Sequence, residues 1–206
     1  MVDGAVGVEP RERVLEAAYV TVARYGMAKT TVEDVAREAG ISRATLYRMF
    51  PGGRDELFAG MVGREMDRFF LRLAVAVSDA PDLTAMLEVA LVEAHRQIFD
   101  HAVLQMVLAS EPERLLPMIT EEEHRIHEYV VGFIRPWLDA EAAAGRVRPG
   151  VDLDGATRYV ASMGLSIMST PGSIDLDDPA AVRGVVEREL LGGILRDPGG
   201  GVLRGG

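Results

Sequence analysis

The chain has 206 residues with 22 Lys and Arg against 32 Asp and Glu, a net charge of −10, and no cysteine. The absence of cysteine excludes disulfides, thiol catalysis and cysteine-ligated zinc, and suits a reducing cytoplasm. The opening MVDGAVGVEP lacks the basic start and apolar run of a secretory signal, and no stretch is apolar for long enough to span a bilayer, so a cytoplasmic protein with no membrane partner is expected. The acid is unevenly spread: residues 1–60 carry −1 and residues 61–206 carry −9. Between Lys29 and Arg54 five basic residues meet three acidic ones, a locally positive stretch in an acidic protein. Phosphate neutralisation is local, so this split fits selective nucleic-acid binding and argues against a general nucleic-acid coat.

Residues 1–9 read as disordered. A helix is predicted from Pro10 to Tyr25, with Leu15, Ala18, Val22 and Tyr25 on one stripe, proline in the first turn and Gly26 as the stop. The segment Thr30–Phe50, TTVEDVAREAGISRATLYRMF, then reads as two short helices around a turn at Gly40. Two capping registers are open for the first, Thr30 with Glu33 or Thr31 with Asp34. Val32, Val35, Ala36 and Ala39 form its apolar face, Ile41 can plug the corner, and Ser42 is an N-cap for the second helix, Arg43 to about Phe50. There Leu46, Met49 and Phe50 turn inward, while Ala44, Tyr47 and Arg48 face outward with Arg43 and Thr45 at the borders. Many αα-hairpins have a polar outer face and bind nothing. This face, however, carries guanidinium groups for guanine edges and hydroxyls for phosphates.

Pro51-Gly52-Gly53 is a break and the expected domain boundary. A long helix is predicted from Arg54 to Ser78, then helices at Leu83–Phe99 and Ala102–Ala109, with Glu111-Pro112 and Pro117 bracketing a loop or single turn. Ile119–Ala144 reads as a helix interrupted at Pro136, followed by a turn at residues 145–150, a helix from Asp152 to Ser169, a polar connection PGSIDLDDP, and a last helix from Ala180 to Leu195. No strand-type alternation occurs, so the fold class is all-α.

The hairpin resembles the DNA-binding domain of the tetracycline-repressor (TetR) family of bacterial transcription regulators. The matching positions are Thr30-Thr31, Val35-Ala36, Ala39-Gly40-Ile41-Ser42, Thr45-Leu46-Tyr47, Phe50-Pro51 and Asp55-Glu56-Leu57. The resemblance covers roughly the first sixty residues; the remainder is similar only in helical layout and length. It implies a three-helix helix-turn-helix DNA-binding domain at 1–53 and a helical ligand-binding and dimerisation domain at 54–206. It further implies a ligand-responsive homodimer acting on a palindromic operator in double-stranded DNA, most simply as a repressor. Carried over, Thr31 would meet a phosphate, Arg43 and Ala44 base edges, and Thr45 and Tyr47 backbone or bases, with Ser42 and Arg48 on the same surface. The family's lysine after the Phe50-like position is missing because Phe50-Pro51-Gly52-Gly53-Arg54 carries one extra residue, which makes Arg54 the replacement candidate. Glu33 also departs, since a carboxylate near phosphates repels them.

The family's dimer forms through its last two helices, here rich in small and apolar residues: Ala161, Gly164, Leu165 and Met168, then Val182, Val185, Val186, Leu190 and Ile194. Intramolecular packing is the competing reading. The resemblance also implies a small apolar effector in the middle region, where Met66, Phe69, Met86, Phe99, Met106, Phe133, Trp137 and Met163 are the candidate lining. No cofactor is implied. The rival to a regulator is a helical metal-binding protein or enzyme centred on His124 and His127, one turn apart in the run EEEHRIHE. Such a run is more commonly a solvated face, and no GxSxG, phosphate-binding glycine loop, HExxH or other catalytic set occurs, so no enzyme and no metal site are expected.

Overall fold

The computed structural model describes residues 9–169 and 174–196. Among them the chain forms ten α-helices: α1 Pro10–Tyr25, α2 Val32–Glu38, α3 Arg43–Met49, α4 Gly53–Ala76, α5 Leu83–Phe99, α6 Ala102–Ser110, α7 Pro112–Glu121, α8 Glu123–Ala143, α9 Leu153–Ser169 and α10 Pro179–Val185. A π-helical turn, Val186–Leu190, continues α10. The fold is all-α, as expected, apart from one isolated antiparallel bridge between Val147 and Leu195.

Two compact units emerge, Met1–Leu71 with Ile98–Glu121, and Arg72–Gln97 with Glu122–Gly206. The first is larger than the expected 1–53, because most of α4 and all of α6 and α7 join it. Its core gathers Val14, Ala18 and Val22 of α1, Val35 of α2, Leu46 and Phe50 around α3, Leu57, Phe58 and Met61 of α4, and Val107 and Leu115 of α6 and α7. Seven-residue helices such as α2 and α3 are too short to persist alone. They are helical here because each lays an apolar stripe on that core.

Both interior prolines sit in continuous helix. Pro117 lies inside α7, where a loop or single turn was expected, and Pro136 inside α8, where an interruption was expected. The break falls instead at Glu122. Each proline frees the carbonyl four residues earlier, that of Glu113 or Gly132, and both residues are exposed, so water can take the orphaned acceptor. Leu115 then anchors α7 in the core, with Met118 and Ile119 packed against it.

The second unit's core contains Leu83, Met86, Leu138, Val160, Ala161, Val182, Val186 and Leu190. Six of the nine small and apolar residues singled out in the last helices pack internally. Ala161, Val182, Val185, Val186, Leu190 and Ile194 are buried within their own chain, where small side chains let α9 and the α10 region pack closely. The surface those helices leave free is different: Tyr159, Ser162, Met163 and Ser166 along α9. The last helix is also shorter than the predicted Ala180–Leu195, since the π-helical turn closes it at Leu190 and the Tyr159 hydroxyl donates to the Glu189 carbonyl at 2.8 Å.

One ionic contact braces this unit. The Glu141 side chain is 3% exposed, accepts the Leu83 amide at 3.2 Å and pairs with Arg146. Hydrogen bonding from Arg146 outweighs burial and holds the Glu141 carboxyl below its ordinary pKa. Glu141→Ala would orphan a buried amide and lose the pair, and should lower unfolding free energy by about 3 kcal/mol in urea titration.

Candidate nucleic-acid interface

The hairpin's corner follows directly from Gly40. At φ +67° this residue takes the left-handed conformation that glycine adopts without penalty. Ile41 then donates its amide to the Ala36 carbonyl at 3.0 Å while Gly40 donates to Arg37 at 3.2 Å, the paired 6→1 and 5→2 bonds of a Schellman stop. Ile41 packs against the core and fixes the direction in which α3 leaves. Ser42 caps α3 by accepting the Thr45 amide at 3.1 Å, and the two hydroxyls lie 2.9 Å apart.

Of the two open capping registers, Thr31 with Asp34 is formed: Asp34 donates its amide to the Thr31 hydroxyl and its carboxylate accepts the Thr31 amide, each at 3.1 Å. The Thr31 hydroxyl also donates to the Asp34 carboxylate at 2.5 Å, and this bond, followed by that from the Thr31 amide, holds the Asp34 carboxyl below its ordinary pKa. Thr30 is buried instead and bonds the Gly26 carbonyl at 2.7 Å. Glu33 is thereby left without a capping task.

The outward face of α3 places Ser42, Arg43, Ala44, Tyr47 and Arg48 in solvent together, with Thr45 half-buried among them. Tyr47 is 38% exposed, a large apolar ring left outside while Leu46 and Phe50 are fully covered. The Arg43 guanidinium lies 5.3 Å from the Tyr47 ring centroid and pairs with Glu33 at 2.7 Å. Hydrogen bonding with Tyr47, then the Glu33 charge, raises its pKa. Arg48 and Lys29 are exposed and make no ion pair or hydrogen bond among the described residues. The three acids of this stretch are each answered locally, Glu33 by Arg43, Asp34 by Arg37 and Glu38 by Arg24.

Arg54 departs from its expected place at a phosphate. Its Nε donates to the Thr30 carbonyl at 3.1 Å, its terminal nitrogen donates to the carbonyls of Met27 and Ala28, and the guanidinium stacks 4.8 Å over Phe58. The reason is the added residue: Gly53, at φ +67°, starts α4 just ahead of Arg54 and directs that side chain back onto the α1–α2 turn. Sequence reasoning gave no hint of a second grip on this turn. The Glu111 carboxylate, between α6 and α7, accepts the Ala28 amide at 2.6 Å. A β-carbon on Gly26 would lie 2.4 Å from a Glu111 oxygen and would push that carboxylate aside, while the φ of +80° is what asks for glycine in the turn. Arg54 is thus a positioning residue for Thr31 and α2. Arg54→Ala should cost about 2 kcal/mol of stability and roughly tenfold in DNA affinity, and Arg54→Lys should not rescue either, because an ammonium lacks the planar fork that spans several carbonyls. Urea unfolding and duplex titration check both.

The other candidates are scattered. Met66 and Met106 pack on the first unit's core, Phe69 meets Phe70 edge-on at 5.2 Å, and Phe99 is 51% exposed. In the second unit Met86 is buried, Phe133 and Trp137 are half-buried against the core, and Met163 is 38% exposed. His127 bonds Ser162 through Nε2 at 3.0 Å, His124 points to solvent, and among the described residues no three His, Cys, Asp or Glu side chains gather as a metal site. No helix among the described residues is long and apolar enough to cross a membrane.

Residues 14–61 match the family described as bacterial regulatory proteins, tetR family, which spans the C-terminal part of α1, the hairpin and the start of α4. This segment is a TetR-family DNA-binding domain, and the chain is a DNA-binding transcriptional regulator. Curated relatives agree: uncharacterized HTH-type transcriptional regulators of Mycobacterium bovis and Mycobacterium tuberculosis are each 28% identical over 179 residues, 86% of this chain and 88% of theirs. Among solved structures, the complex of SmeT with triclosan has a TM-score of 0.59 at 21% identity, covering 93% of this chain and 94% of SmeT. GusR of Salmonella enterica has a TM-score of 0.58 at 18% identity, covering 94% and 99%. The helical architecture is therefore shared along nearly the whole length, while a TetR-type sequence signature is concentrated in the reading head.

Proposed function

We propose that this TetR-family regulator acts as a homodimer, binds a near-palindromic operator through α3, and represses until a small apolar ligand releases it. The observation that carries the reading is the α3 face, where Arg43, Ala44, Tyr47 and Arg48 share one exposed surface opposite the buried Leu46. Arg43 and Arg48 would reach base edges, Tyr47, Thr45 and Ser42 would bond phosphates or bases, and Thr31 would stand beside the backbone at the start of α2. Dimerisation would use the free face of α9, Tyr159 to Ser166, in place of the buried residues of α10. A soluble protein working in the cytoplasm fits this role.

Selection of bound fragments from a random duplex pool tests the operator. The expected product is two inverted half-sites about one helical turn, roughly 34–36 Å, apart. An enriched single half-site, or no enrichment, would defeat the reading. Phe133 and Trp137 on α8, with Met86 in the core beside them, support an apolar ligand within the second unit. SmeT was solved with triclosan, a precedent for a small molecule in a similar fold. Trp137 is the only tryptophan, so its emission reports ligand entry directly. A compound that shifts this emission and weakens operator binding must favour one of two protein states.

A further inference from the structure

We infer that Glu33 is a specificity-determining residue, which holds Arg43 in check until a matching base edge takes its place; this rests on the DNA-binding role of α3. Three features point to it. Glu33 stands in the first turn of α2 with its carboxylate 2.7 Å from the Arg43 guanidinium, and both side chains are substantially exposed, at 49% and 63%. The helix start has no need of that carboxylate, because the Thr31–Asp34 box already satisfies it. The other two acids of the stretch pair with Arg37 and Arg24, on neither of which the reading face depends, whereas Glu33 alone engages an arginine of α3.

A carboxylate beside a phosphate-seeking surface works against binding. Its effect differs between right and wrong DNA. On an arbitrary duplex Arg43 can offer only a point charge to phosphates, and an exposed ion pair with Glu33 competes with that on nearly equal terms. On a guanine presented in register, two parallel hydrogen bonds to O6 and N7 exceed what the exposed pair provides, so Arg43 transfers. Glu33 therefore weakens non-specific binding more than specific binding. The Arg43 guanidinium also lies 5.3 Å from the Tyr47 ring centroid, so the same side chain is in reach of both Glu33 and the reading face.

The test uses the full-length chain, wild type and Glu33→Gln, titrated with a random-sequence duplex and with the duplex that wild type enriches from a random pool, across a range of salt. Glu33→Gln should tighten random-duplex binding of the dimer about three- to tenfold and steepen its salt dependence by about two ions, one for each subunit. Enriched-duplex binding should tighten less, so the ratio between the two falls. In an Arg43→Ala background the same change should tighten both duplexes equally, since only a bare charge is then removed. Equal tightening in the wild-type background, no tightening, or an unchanged ratio would overturn the inference while leaving α3 as the reading helix. Failure of wild type to enrich any duplex would overturn the DNA reading and the role of Glu33 with it.

Discussion

Arg43→Ala should reduce operator affinity of the dimer by roughly 30-fold to 10⁴-fold, since one bidentate base contact is worth about 1–3 kcal/mol and a two-fold dimer loses it twice. Tyr47→Phe should act differently. It removes only a hydroxyl, so binding should weaken evenly across operator variants, while Arg43→Ala should relax preference at one base pair in each half-site. Both side chains are exposed, and neither belongs to the core around Leu46 and Phe50. Circular dichroism and sedimentation of the variants should therefore match wild type. Operator affinity within about threefold of wild type in both variants would show that α3 does not read DNA.

Local chemistry made much of the reading head legible beforehand. Pro10, Gly26, Gly40 and Ser42 act within a few residues of themselves, and α1 has the bounds their pattern implied. Ambiguity began where two local solutions were equally good. Thr30 and Thr31 each stand three residues before a carboxylate, and the burial of Thr30, a tertiary matter, decides between them. Prolines misled for a related reason: Pro117 and Pro136 signal a break in isolation, but exposed surroundings let a packed helix carry them. Least visible were the long-range grips. Glu111 reaches an amide 83 positions away, and nothing in the run SEPERLL announces that partner. For Arg54 the sequence offered a charge near a family position, and geometry gave that charge three carbonyls.

The small-residue pattern of α9 and α10 illustrates a different limit. Close approach of two helices has the same composition whether the helices share a chain or not. The structure buries Ala161, Val182 and Leu190 internally and leaves Tyr159 and Met163 outside. Periodicity identified which residues pack; it carried no information about which side of the chain's own surface they pack on.

Arg64→Ala should be the most destabilising change among the ion pairs of the first unit. The Arg64 side chain is 7% exposed in the seam between α1 and α4, pairs closely with Glu12 and Glu16, and lies 2.8 Å from Glu65. Removing it leaves three carboxylates with only Arg68, itself 42% exposed, to answer them. Because the carboxylates remain partly solvated, a loss of about 3 kcal/mol is expected, a fall of roughly 6–12 °C in Tm. The pH dependence follows from Glu16. Burial pushes its carboxyl up, but hydrogen bonds and charge from Arg64 and then Arg68 outweigh burial and hold its pKa below the ordinary value. A carboxyl lowered in the native state stabilises the fold above its unfolded pKa and ceases to do so as pH falls through the native one. The gap between wild type and Arg64→Ala should therefore be full near neutrality and narrow as pH falls below the ordinary carboxylate range. Since α1 also holds α3 in place, with Arg11 donating to the Met49 carbonyl at 2.8 Å, loosening the α1–α4 seam should weaken operator binding as well. Urea unfolding at neutral and acid pH decides: equal stabilities near neutrality, or a gap that ignores pH, would mean that packing alone holds α1 to α4.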